Sequence, residues 1–113
     1  MHEVSIMENI LSIVEPRARA VGANRITRIT VRVGELSGVA PEALEFAFQA
    51  LTPGTLAEGG DLVIERIPVR CFCKTCRREF QPDGPFYICP DCHEPTNEIL
   101  SGRELEIASV EIP

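Results

Sequence analysis

Over residues 5–21, apolar side chains recur at three- and four-residue spacing: Met7, Ile10, Leu11, Val14, Ala18 and Val21. That period gathers them on one face of a helix. Ser5 followed by Glu8 has the form of a capping box and marks the expected start; Gly22-Ala23-Asn24 ends the run. Pro16 lies inside it and predicts a kink or a division, because its ring collides with the preceding turn and it has no N–H. From residue 25 to 33 the period drops to two. Ile29, Val31 and Val33 share a face with Arg25 and Thr27, while Ile26, Arg28, Thr30 and Arg32 point the other way, which predicts a strand with one wet face. After a loop at residues 34–38, Pro41 suits the first turn of a second helix. Leu44, Ala47, Phe48 and Leu51 form its apolar stripe with Phe46 beside it, and Thr52-Pro53-Gly54 stops it. Residues 62–69 and 104–112 read as two more strands. In the last one Leu105 and Ile107 are out of phase with Val110 and Ile112, and a bulge near Ser109 would reconcile them.

The order helix, strand, helix, strand, cysteine-bearing stretch, strand predicts an α+β fold. Residues 1–68 with 102–113 form a small sheet with two helices, and residues 69–101 form an inserted module. A piece of that length cannot stabilise itself by burial alone, since chains below about 40 residues usually need a metal or disulfides.

The inserted stretch carries all five cysteines, and four of them stand as two Cys-x-x-Cys pairs, Cys73/Cys76 and Cys89/Cys92. A tight turn aims both thiolates of a pair at one point, and a hairpin brings two such points together. Four sulfurs about 2.3 Å from one ion describe a closed structural zinc-ribbon-like site, with no position left for water or substrate. A four-thiolate set accepts iron as well as zinc. Two disulfides would join neighbours within each turn, where they bridge poorly, and no secretory segment points to an oxidising compartment. A thioredoxin-like motif needs one such pair at a strand-to-helix junction, not two in a Pro/Gly-rich stretch. Cys89-Pro90-Asp91-Cys92-His93 has the c-type haem spacing, but haem leaves Cys73 and Cys76 without a role. Cys71 reads as a small buried hydrophobe on the strand entering the module, with replacement zinc ligand as the sharper alternative. His93 has the same two readings, turn residue or substitute ligand.

Bulk properties narrow the function. The chain has 113 residues, 44 % of them hydrophobic and 25 % charged, with a formal charge of −6. No apolar run approaches the roughly 20 residues of a membrane span. The acidic balance disfavours a zinc ribbon that grips nucleic acid, which needs a basic face to displace counterions. Arg70, Lys74, Arg77 and Arg78 beside the cysteines are expected to offset thiolate charge. No Ser/His/Asp set, phosphate loop or carboxylate pair supports an enzyme. Five cysteines without an export signal suggest the reducing cytoplasm.

The chain opens Met1-His2-Glu3. The Met1 amine, the His2 amide nitrogen and the His2 imidazole can close two fused chelate rings in one plane, and Glu3 can supply a fourth donor. Planar nitrogen donors suit Ni(II) or Cu(II), whereas Zn(II) prefers a tetrahedron.

Taken together, Met1-His2-Glu3-Val4-Ser5-Ile6, residues 29–34, Gly54-Thr55-Leu56-Ala57-Glu58-Gly59 and the two cysteine pairs resemble the HypA/HybF family. These are nickel metallochaperones of [NiFe]-hydrogenase maturation, and the resemblance spans essentially the whole chain. It implies a non-enzymatic carrier. Met1, His2 and Glu3 would hold nickel, with Glu3 a ligand or tuning residue, and Cys73, Cys76, Cys89 and Cys92 would hold zinc. It further implies delivery to the hydrogenase large subunit with a GTPase partner, a second client (urease) for some members, and leaves room for a homodimer. The chain departs from the family where Gly commonly follows each pair. Arg77 and His93 stand there instead, and a left-handed backbone at those turns would cost Arg77 more than His93.

Overall fold

The computed structural model describes residues 2–113. Helix α1 (Glu3–Ala20) and helix α2 (Pro41–Leu51) pack on one face of a three-stranded sheet. That sheet is built from β1 (Arg28–Gly34), β2 (Asp61–Ile67) and β6 (Leu105–Glu111) in the order β2-β1-β6. A second antiparallel sheet of β3 (Arg70–Cys73), β4 (Arg78–Phe80) and β5 (Ile99–Ser101) has the order β4-β3-β5. β1 and β2 run parallel, so the chain between them must cross over, and α2 supplies the crossover. The molecule is elongated, 54 × 28 × 16 Å.

The α1 stripe is buried as its spacing predicts: Met7, Ile10, Leu11, Val14 and Ala18 meet Ile29, Val31 and Val33 of β1 and Leu44, Ala47 and Phe48 of α2. The helix boundaries differ from expectation. The ladder begins two residues before Ser5, because the His2 carbonyl accepts the Ile6 N–H at 2.8 Å. The Glu3 carboxylate also accepts the Ala40 N–H at 3.2 Å, which ties the first turn to the residue that caps α2. Ser5 therefore lies inside the helix and caps nothing. Pro16 does not divide α1, which runs through it as one element. Val21 falls beyond the last turn and is exposed.

β1 starts at Arg28, not residue 25. Ile26 is buried because its N–H bonds the Leu56 carbonyl and turns the chain into the core before pairing begins. Thr30, expected on the wet face, is buried too. Its same-face neighbours explain this. Arg28 reaches Glu111 at 3.5 Å and Asp61 at 3.9 Å, and Arg32 reaches Glu106 at 3.4 Å and Glu65 at 3.6 Å. Two arginines so tethered lay their apolar stems along the sheet on either side of Thr30. The expected bulge is present: Thr30 faces Ser109 and Val31 faces Ile107, which leaves Ala108 as the extra residue. β2 ends at Ile67, ahead of Pro68, which has no N–H to continue a ladder. Val69 belongs to the second core.

The sheets meet at a narrow neck. The chain leaves the first sheet at Pro68 and returns at Ser101, whose hydroxyl donates to the Pro68 carbonyl at 2.8 Å. The Glu35 carboxylate accepts the Val69 N–H at 2.7 Å, and the Leu36 N–H reaches the Gly102 carbonyl at 2.6 Å. Gly34 lies against the Gly102 backbone so closely that a Cβ there would stand 2.1 Å from the Gly102 oxygen. Gly102 itself has φ +118°, outside the region open to other side chains.

Candidate metal centre

Four sulfurs converge in the second sheet. β3 delivers Cys73 at its last position, the turn to β4 delivers Cys76, and the loop before β5 delivers Cys89 and Cys92. All four Sγ atoms lie within 4.8 Å of one another. Cys73 and Cys92 are 3.5 Å apart, and Cys76 and Cys89 3.9 Å apart. A regular tetrahedron with metal–sulfur bonds of about 2.3 Å has edges of about 3.8 Å, so the donors present fit a four-thiolate metal site.

The two turns repeat one geometry. Arg77 donates its N–H to the Cys73 carbonyl at 2.7 Å, and His93 donates to the Cys89 carbonyl at 2.9 Å. Both residues are left-handed, with φ 55° and 63°, and they are the only non-glycine residues so placed among those described. A non-glycine residue held there costs about 1–3 kcal/mol. The Cys76 N–H points at the Cys73 sulfur from 3.4 Å and closes the first turn. Thr96 stitches the second turn to β3: its hydroxyl donates to the Phe72 carbonyl at 2.7 Å and its N–H to the Tyr87 carbonyl at 2.9 Å.

Crowding spreads the sulfur titrations apart. The Cys89 thiol is lowered to about 7, first by the Cys92 backbone N–H. Cys76 is pushed up to about 12, first by its hydrogen bond with Cys92 and then by burial. A first thiolate therefore forms near neutrality, while Cys76 stays protonated until a cation compensates the accumulating charge.

Cys71 is fully buried among Val69, Cys73, Phe80 and Cys89, stands outside the converging four, and has its thiol raised by burial. His93 holds the turn through its backbone. The basic residues are only partly available to the thiolates, since Arg78 pairs with Asp91 at 2.9 Å and Arg70 with Glu79 at 3.4 Å. The first of these ties one cysteine turn to the other, a link that the sequence separation of the two residues concealed.

At the opposite end of the chain, His2 is exposed at the head of α1 and its side chain caps nothing. Glu3, by contrast, is buried, with its carboxylate on the Ala40 N–H. Met1 lies outside the described residues. No helix among those described is long and apolar enough to cross a membrane.

A helix-backed sheet carrying a closed four-thiol module defines a small α+β metal-binding protein. Residues 1–112 match the family model described as "Hydrogenase/urease nickel incorporation, metallochaperone, hypA". The hydrogenase maturation factor HypA of a Picosynechococcus species is 47 % identical over 112 residues, covering 99 % of each chain. That of Geobacter metallireducens is 42 % identical with the same coverage. The solution structure of the Ni metallochaperone HypA from Helicobacter pylori aligns with a TM-score of 0.64 at 27 % identity, covering 99 % of this chain and 97 % of that one. Another HypA solution structure gives 0.71 at 26 %, covering 100 % and 97 %. The chain belongs to the HypA/HybF family of hydrogenase-maturation nickel metallochaperones, which are carriers and not enzymes.

Proposed function

We propose that this carrier takes up Ni(II) at its amino terminus, through the Met1 amine and the amide and imidazole nitrogens of His2, and keeps zinc permanently in the four-thiolate module. The observation that supports the nickel reading most is the contrast between neighbours. The His2 imidazole is exposed and makes no capping bond, whereas the Glu3 carboxylate is turned inward to Ala40. His2 is thus the side chain offered to a metal, and Glu3 tunes the site by fixing where the helix begins. Planar nitrogen donors select Ni(II) over Zn(II), and soft thiolates keep zinc, so two metals sort into two places.

In this reading residues 1–68 with 102–113 are the nickel-binding part and residues 69–101 the zinc module. A chelate at a chain end gives up its donors one at a time, which suits transfer to the hydrogenase large subunit with a GTPase partner. Urease is a second client on the family's description. A cytoplasmic setting keeps the thiols reduced. Protons compete for the amine and imidazole, so nickel affinity falls with acidification.

Calorimetric titration of Ni(II) into protein with its native amino terminus tests this. His2→Ala and a one-residue amino-terminal extension should each abolish tight binding and leave zinc content unchanged. Normal nickel binding by both variants would place the site elsewhere.

A further inference from the structure

The main sheet has two open edges, and they differ. β2 is flanked by α2, and the surface beside it is polar, lined by Glu45, Gln49, Glu58 and Asp61. β6 has no strand on its outer side, and on its helix side α1 stands off far enough to leave an apolar groove of about 290 Å³. Ile6, Ile10 and Ile13 form one wall, Leu105 and Ile107 the other, and Val31 lies at the floor. Ile13 and Leu105 remain 48 % and 42 % exposed. An edge strand with apolar side chains left open is a template for another strand.

We propose that β6 receives an extended segment of a partner protein as a fourth strand, and that this segment alternates apolar and basic residues. The alternation follows from the pleat. Every second side chain of an added strand falls on the helix side, into the groove, and the others fall on the open face beside β6. On that face four carboxylates (Asp61, Glu65, Glu106 and Glu111) share two arginines, Arg28 and Arg32. The outermost column, Glu106 and Glu111, has an arginine on its inner side only. A lysine or arginine column on the incoming strand completes the alternation of charge, and opposite charges across a strand pair stabilise it while like charges oppose it. The same charge rule disfavours a second copy of this chain. Its own β6 has Glu106 and Glu111 and no basic residue between Leu105 and Glu111.

Two capped synthetic octapeptides, alternating Val-Lys and alternating Val-Glu, titrated into the zinc-loaded full chain and followed by amide NMR shifts, test the proposal. The expected result is saturable binding of the Val-Lys peptide, with shifts confined to residues 105–111 and 6–13 and cross-strand contacts to β6. The Val-Glu peptide should bind about tenfold more weakly or worse. Leu105→Lys and, on the helix wall, Ile13→Lys should each weaken Val-Lys binding by a similar factor. Glu106→Lys should erase the preference between peptides. Absence of saturable binding, equal affinity for the two peptides, or shifts centred on β2 would overturn the proposal. So would a concentration-dependent dimer lost in Leu105→Lys, which would make a second copy the occupant.

Discussion

Around β1, thirteen buried side chains interlock, eleven of them from two helices and one strand and two, Ile26 and Ala57, from the connecting segments, and nearly all are aliphatic. Around β3 only five are buried, three of those are cysteines, and Cys76 and Cys92 pack against them as partly buried neighbours. Both sheets have three strands. The first is held by removal of apolar area from water, worth about 25 cal/mol per Å². The second has little area to remove, and its sulfurs fill the centre where an aliphatic core would sit. The contrast shows that cohesion in this chain changes kind at the neck: the same sulfurs that fill the second core are the proposed ligand set.

Stripping the metal should break the comparison most sharply. Apparent binding free energies for structural zinc are about 10–16 kcal/mol and are folding energy for the piece that holds it. A strong chelator should collapse amide dispersion for residues 70–101 while residues of α1, β1 and α2 keep their resonances. A uniform loss across the chain would show that the first core depends on the second. Cys76→Ser should have the same consequence, with zinc content by mass spectrometry falling below one per chain, whereas Cys71→Ala should keep full zinc and lose about 1–2 kcal/mol for a buried small side chain.

The converse probe is Leu44→Ala, a fully buried position in α2. It should cost about 2–5 kcal/mol in urea unfolding followed by helix signal and leave zinc stoichiometry intact. Loss of zinc in this variant would couple the two cores.

Acidity should act on the module by a smaller step. In a metal-free module that kept this fold, the lowered Cys89 thiol would be a thiolate above about pH 7, and zinc would displace one proton fewer there than below it. A module that unfolds without zinc gives up all four thiol protons on binding, so zinc affinity should fall with the same slope on both sides of pH 7. Competition against a chromophoric chelator between pH 6 and 8 measures the slope, and a break near pH 7 would show that the metal-free module keeps its fold.

The finest effect sits at Arg77. Replacing it with Gly removes the Cβ from a left-handed backbone and should tighten zinc retention by about 1 kcal/mol, read as a shift in the chelator midpoint. His93→Gly should gain less, since His tolerates that conformation better.

The fold was legible where one physical effect dominates. The three-and-four spacing of Met7, Ile10, Leu11, Val14 and Ala18 is a burial pattern, and they are buried. The phase slip between Ile107 and Val110 announced the bulge, because a strand cannot otherwise return both to the core. Misreadings arose where a distant partner overrode a local signal. Ser5-x-x-Glu8 is a sound capping pattern, yet α1 begins earlier, its first turn closed by the His2 carbonyl on the Ile6 N–H and tied by Glu3 to Ala40, 37 residues away. Thr30 reads as a wet position until Arg28 and Arg32 are tethered across the strands beside it. At the candidate site, the cysteine spacing carries its own geometry, so four sulfurs in one place were foreseeable. The ties between Arg78 and Asp91 and between Thr96 and Phe72 were not, since neither pair has a spacing rule. Nothing in periodicity or composition singles out His2; likeness to a family does.

The neck has a consequence for how such a chain can be rebuilt. Pro68 and Ser101 are joined by one hydrogen bond, so the stretch between them departs and returns at nearly the same point. To the first sheet, that stretch is a closed loop with adjacent ends. Another self-folding module with similarly adjacent ends should be accepted there with the β2-β1-β6 order retained. What such a transplant must preserve is the bare backbone contact between Gly34 and Gly102, where no side chain of any kind has room.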